Sequence, residues 1–161
     1  MKYLERFKYW LINRPFFEMA LFRKDAIDNI RSISGTILLH LIKIKYLKNN
    51  INDNHWRKEV KSFFRKVNSI RIKPKNKKFT KDEYMNFLFI EPYCDSSSDY
   101  KKNIYNPNIF FIKSLLNEIN YEYGSDIKYD DFEFNIFVSF FKEISEKIEL
   151  DEDYFVLIDK F

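Results

Sequence analysis

The sequence predicts an all-α, single-domain bundle of about six or seven helices, and three observations predict it. Apolar residues recur at three-and-four spacing along nearly the whole chain. Alternation of period two never persists. A chain of 161 residues with 45% hydrophobic side chains suits one domain, 1–161, able to bury roughly two-thirds of the surface of its unfolded form.

Taken in order, Tyr3, Leu4, Phe7, Trp10 and Leu11 mark a short first helix, interrupted at Asn13-Arg14-Pro15. A second helix follows from about Pro15 to Asn49, bent near Gly35, with Ile27, Ile30, Ile37, Leu38, Leu41 and Ile44 along one side. The polar run Asn49 to Asn54 is a turn, and Trp56, Val60, Phe63, Phe64, Val67 and Ile70 form the apolar face of the next helix. These two helices are expected to pair as an antiparallel hairpin. After a basic connector, Arg71 to Lys78, Thr80 and Glu83 have the spacing of a capping box, with Phe79 placed to staple onto Tyr84. Glu91 to Tyr105 reads as a long surface loop carrying Cys94. Asn106 and Pro107 then open a helix with Ile112, Leu115, Leu116, Ile119 and Tyr123 inward, and Gly124 ends it. Asp130 and Asp131 begin another, Phe132 to Ile148, and Tyr154, Leu157, Ile158 and Phe161 repeat the spacing at the end.

Composition excludes several function classes. Gly35 and Gly124 are the sole glycines, so no glycine-rich phosphate loop can form. The single cysteine leaves no internal disulfide and no cysteine-based zinc site. The N-terminal segment is interrupted by Lys2, Glu5, Arg6, Lys8 and Arg14, and the stretch Ile33 to Leu47 by His40, Lys43 and Lys45. Neither resembles a signal peptide or a membrane span, and a cytoplasmic protein is expected. Phe, Ile, Lys, Asn and Tyr make up 85 of the residues, a bias that A/T-rich codons explain before any function does, and it points to a bacterial gene.

Charge is unevenly divided. Residues 1–80 carry 20 Lys and Arg against 6 Asp and Glu, while residues 81–161 carry 8 against 18, although the whole chain is only +4. Either the halves neutralise each other by packing together, or each presents a single-sign surface to a partner of opposite sign. On the acidic side, Asp126, Asp130, Asp131, Glu133, Glu143, Asp151 and Asp153 cluster in sequence with Phe134 and Phe137. The helix around these two aromatics has apolar residues on two adjoining stripes, so it is either centrally buried or presents an aromatic anchor among carboxylates. On the basic side, Arg57, Lys58, Lys61 and Arg65 fall opposite the apolar face of their helix and could contact phosphates, with Lys73, Lys75, Lys77 and Lys78 extending the patch.

No catalytic constellation stands out, and the protein is expected not to be an enzyme. The two histidines, His40 and His55, are the natural acid–base candidates and could be brought close by the hairpin, as a pair or as half a metal site with Asp53. The plainer reading makes His40 a hydrogen-bonded core residue and His55 a polar helix-start residue. Cys94, between Tyr93 and Asp95, reads as a loop thiol without an activating base. No cofactor and no metal are expected.

The stretch Leu38 to Lys43, a polar loop, and then Asn54-His55-Trp56-Arg57-Lys58-Glu59-Val60 resembles a helical hairpin of uncharacterised bacterial bundle proteins, in which a His-Leu-x-Lys helix leads into one opening with Trp-Arg. In overall character the chain also resembles the immunity proteins of bacterial contact-dependent growth inhibition systems. That resemblance implies a partner, a cognate toxin domain, often a nuclease, whose active site or substrate groove is occluded. The acidic second half or the 91–105 loop would be the contact surface, and nucleic-acid binding by the basic helix 55–70 is the alternative.

Overall fold

A computed structural model of the protein describes residues 2–72, 79–95 and 102–161, with side chains in the first two helices described for residues 23–70. The fold is all-α, and among the described residues no strand occurs beyond a single bridge between Cys94 and Pro107. No helix among them is long and apolar enough to cross a membrane.

The first helix, α1 (Lys2–Tyr46), is one element where two were expected. Proline in a helix interior removes one hydrogen bond and tends to bend a helix rather than terminate it, and the helix continues through Pro15 and Gly35. The expected hairpin forms. Asn49 turns the chain in the left-handed region at φ 61°, the Asn50 side chain accepts from the Asn52 N–H at 2.9 Å, and α2 (Asp53–Ile72) runs back along α1. Ile30, Ile37, Leu38, Leu41 and Ile44 are buried on one side of this seam, and Trp56, Val60, Phe64 and Val67 on the other.

The capping box and its staple are formed as the spacing requires. Thr80 Oγ1 accepts from the Glu83 N–H at 3.2 Å, Glu83 Oε2 accepts from the Thr80 N–H at 2.9 Å, and the Phe79 and Tyr84 rings lie 5.8 Å apart. The helix they open, α3 (Lys81–Met85), widens into a π-helical turn (Asn86–Ile90) and continues as α4 (Glu91–Tyr93). The expected loop therefore begins later than Glu91, and Pro92 sits within the last helical turn, where it has no N–H to donate. Tyr93 and Cys94 are buried, which corrects the reading of Cys94 as a loop thiol, and residues 96–101 of that loop lie outside the described residues.

Asp95 N–H donates to the Asn106 carbonyl and Asn108 N–H to the Tyr93 carbonyl, each at 2.7 Å. This short pairing uses Asn106 and Pro107, so the cap of α5 (Ile109–Tyr123) falls to Asn108, whose Oδ1 accepts from the Phe111 N–H at 3.3 Å. Gly124 ends α5 as expected, at φ 63°. Asn120 then fixes the following turn by accepting from the Ile127 N–H and the Ser125 hydroxyl, both at 2.8 Å. A 3-10 turn at Tyr129–Asp131 leads to α6 (Phe134–Glu149), and α7 (Phe155–Lys160) folds back on α2.

One hydrophobic cluster draws residues from each of the helices α1 to α7. At its centre α6 buries Phe134, Phe137, Val138, Phe140, Phe141, Ile144 and Ile148, so its two apolar stripes are both core.

The two glycines predict opposite outcomes. At Gly124 an alanine side chain must adopt positive φ, and Gly124→Ala is expected to destabilise by about 1 kcal/mol. At Gly35, inside α1, an added Cβ would meet the Tyr93 hydroxyl at an ordinary 3.6 Å, so Gly35→Ala is expected to stabilise by about 0.5–1 kcal/mol through helix propensity. Urea unfolding of the two variants checks both signs.

Candidate functional site

The fold itself uses several of the basic residues. Arg57 bonds Asp53 at 2.7 Å and donates to the Ile158 and Asp159 carbonyls at 2.6 and 3.2 Å, where it closes the C-terminal end of α7. Lys61 pairs with Asp159 at 2.6 Å. Two of the four expected phosphate contacts are therefore part of the α2–α7 seam, which corrects the reading of Arg57 and Lys61 as a free surface. Lys58 and Arg65 are exposed, and Arg65 lies 4.6 Å over the Phe155 ring. Lys73, Lys75, Lys77 and Lys78 lie outside the described residues.

The same pattern repeats across the molecule. Arg23 pairs with Glu83 at 2.6 Å, Arg31 with Glu91 at 2.7 Å, and Lys43 with Glu122 at 3.5 Å. Each joins a cation of the basic half to a carboxylate of the acidic half. The uneven division of charge is thus partly neutralised by packing.

The histidines converge on one carboxylate. His40 Nε2 lies 2.6 Å from Glu59 Oε2, and His55 Nε2 lies 3.3 Å from Glu59 Oε1. Helical spacing puts His55 and Glu59 four residues apart on α2, and the hairpin supplies His40 from α1. His40 is 8% exposed, and its Nδ1 is buried without a hydrogen-bond partner, closed to any substrate. Burial holds its pKa below the ordinary 6.5, assisted by the Lys43 charge and opposed by Glu59. Neutral His40 therefore donates its Nε2 proton to Glu59. Lys43, 5% exposed, projects over the Tyr123 and Trp56 rings at 5.1 and 5.8 Å. Asp53, considered with the histidines as half a metal site, is held by Arg57 instead. Among the described residues no group of three or more His, Cys, Asp or Glu is arranged to hold a metal ion.

The acidic candidates separate into groups. Asp126, Asp130, Asp131 and Glu133 are exposed along the α5–α6 connection, where the Glu133 N–H donates to the Tyr46 hydroxyl at 2.8 Å. Asp151 and Asp153 are exposed beyond the far end of α6, which is about 24 Å long at 1.5 Å per residue, and Glu143 is exposed between. Phe134 and Phe137, expected as aromatic anchors, are buried. Phe137 stacks on Phe132 at 5.0 Å and Phe134 packs against Phe89 at 5.3 Å, because a centrally placed helix turns both stripes inward.

Among the described residues the exposed aromatics lie on α5 instead, a surface the sequence reading missed. Phe110 is 89% and Tyr121 93% exposed, with Phe111 and Ile109 about half exposed beside Phe110. Positions 110, 114, 117 and 121 share one helical stripe, opposite the buried Ile112, Leu116 and Ile119. The spacing carries the signal: Phe110 and Tyr121 fall outside the inward set Ile112, Leu115, Leu116, Ile119 and Tyr123. Exposed Glu118 and Glu122 flank Tyr121, and Asp126 follows one turn later.

The depressed His40 pKa sets a pH dependence. As pH falls below 6.5 the unfolded chain takes up the proton before the folded one, so stability is full above that value and declines below it until folded His40 also titrates. His40→Gln, which keeps a donor for Glu59, is expected to flatten this part of the stability profile between pH 7.5 and 5. Urea midpoints across that range are the check. Comparison with protein-family models, with curated proteins and with solved structures finds no match to this chain, so its function is read from the surfaces described above.

Proposed function

We propose that the protein is a non-enzymatic, protein-binding inhibitor of the immunity type, acting in the bacterial cytoplasm on a cognate toxin domain. The observation that carries this reading is the outward face of α5, where Phe110 and Tyr121 stand almost fully in solvent. Large aromatics left in water cost hydrophobic free energy that a partner surface can recover, and such residues dominate the energetics of interfaces. The surroundings of Tyr121 indicate the partner's charge. Glu118, Glu122, Asp126, Asp130, Asp131 and Glu133 give this end of the molecule a negative field, relieved in part by Lys43, which pairs with Glu122, and by Lys113 and Lys128. A basic protein surface, such as the groove in which a nuclease holds phosphate, is its complement. The inhibitor would act by occupying that groove: aromatics anchor, carboxylates replace the substrate's phosphates, and nucleic acid is excluded. The contact surface is accordingly α5 and the turn behind it, with Asp151, Asp153 and Glu143 outside the patch.

Co-expression with the toxin domain encoded beside the gene tests this reading. Growth rescue and a stoichiometric complex are expected. Phe110→Ala and Tyr121→Ala are each expected to weaken the complex by roughly 30-fold if they are anchoring contacts. Asp130→Lys with Glu133→Lys is expected mainly to slow association and reduce its salt dependence. A stable toxin complex unaffected by all four substitutions would place the contact elsewhere, and absence of both rescue and complex would remove the inhibitor reading.

A further inference from the structure

Independently of α5, the seam between α1 and α2 holds an open groove of about 520 Å³. Its polar lining is Asn29 and Ser32 from α1, and Ser62, Arg65, Lys66 and Ser69 from α2. Ile33 and Ile70 supply its apolar part, and no carboxylate lines it.

Elsewhere the polar side chains of this seam and its neighbour have partners: neutral His40 bonds Glu59 across it, Arg57 holds Asp53 on its own helix and two carbonyls of α7, and Lys61 pairs with Asp159. The groove differs. Among the described residues none of its six polar side chains has a hydrogen-bond or ion-pair partner, although Arg57 and Lys61 on the same helix are both paired. Arg65 and Lys66 are instead seated against aromatic faces, the guanidinium 4.6 Å from the centre of Phe155 and the ammonium 5.2 Å from that of Phe63. Neither ring lines the groove, so the two heads rest beside it in contacts that leave their N–H donors unconsumed and free to turn to a ligand.

We infer that this groove binds the phosphate group of a phosphorylated ligand. The residues along it carry three hydroxyls, an amide, a guanidinium and an ammonium, and no carboxylate. A carboxylate, with two oxygens and one charge, would use few of these donors, whereas a phosphate offers three or four oxygens and fits the planar fork of Arg65 together with the point charge of Lys66. Ser62 and Ser69 lie two helical turns apart, about 10 Å by helical rise, with the cations between them, so there is length for more than one phosphate. The shared chemistry is the phosphate oxyanion. Its source is a free nucleotide or the backbone of a single strand, and the experiment separates these.

Binding of inorganic phosphate, ATP and a short labelled single-stranded RNA is measured on the full chain at low salt, by calorimetry and fluorescence anisotropy. Arg65→Gln with Lys66→Gln is expected to weaken the binding seen by about tenfold or more, and for RNA to reduce the salt slope by roughly 0.7 for each cation removed. Ser62→Ala with Ser69→Ala is expected to give a smaller loss, and Lys58→Gln, an exposed cation of α2 outside the groove, none beyond twofold. Circular dichroism melts establish that each variant is folded. Saturable binding of ATP or phosphate assigns the groove to a free phosphate ligand, and binding of RNA alone assigns it to a strand. Either result with the groove variants impaired supports the inference. No binding of any probe, loss in Lys58→Gln equal to that in the groove variant, or no loss in the groove variant overturns it.

Discussion

The packing of Phe141 on Phe89, ring centres 4.7 Å apart, joins α6 to the π-helical turn that follows α3, and the rest of the bundle is arranged around that join. Phe64 brings α2 to the same place, within 6.3 Å of both Phe140 and Phe141, and Phe161 closes the chain's end onto Phe140 at 4.8 Å. Each aromatic removes a large apolar area from water, and offset or tilted pairs add to that burial. A helix enclosed in this way keeps its aromatics inward and leaves only polar side chains such as Asn135, Ser139 and Glu143 to solvent. The burial of Phe134 and Phe137 and the presence of exposed aromatics on α5 are therefore two consequences of one arrangement.

Charge obeys the same logic. A chain divided into a basic and an acidic half could expose two opposed fields, yet Arg23, Arg31, Lys43 and Lys61 each reach a carboxylate from the other half. Partly exposed pairs of this kind contribute little stability individually, but they decide which charges remain for a partner. What remains is unevenly placed. Carboxylates persist around the exposed end of α5, and unpaired cations persist in the groove between α1 and α2.

The hairpin also buries polar groups that hydrophobic packing alone would not require. Burying Lys43 carries a desolvation cost, which Glu122 and the Trp56 and Tyr123 rings offset. His40 on Glu59 adds a directional bond across an otherwise apolar seam. Apolar contacts between two helices tolerate sliding by a turn, whereas these contacts are satisfied in one register.

Much of the local structure was legible in the residues themselves. The core stripe of α1, the apolar face of α2, the polar turn between them, the capping box at Thr80 and the end of α5 at Gly124 all rest on interactions between residues at most four positions apart, which spacing and residue type disclose directly. Even at this level tertiary contact had the last word in places. Asn106 and Asn108 are both fit to cap α5, and backbone pairing with Tyr93 and Asp95 selected Asn108. The candidate sites were less legible, because a site depends on which surfaces meet. Arg57 and Lys61 read as a free basic face until α7, about a hundred residues later, returned to cover them. His40 and His55 were visible as candidates, but their common partner Glu59 was decided by the register of the hairpin. Sequence determined which residues share a helix face, since helical periodicity is local; the tertiary structure decided which faces are buried, paired or left to solvent, since that depends on contacts between distant parts of the chain.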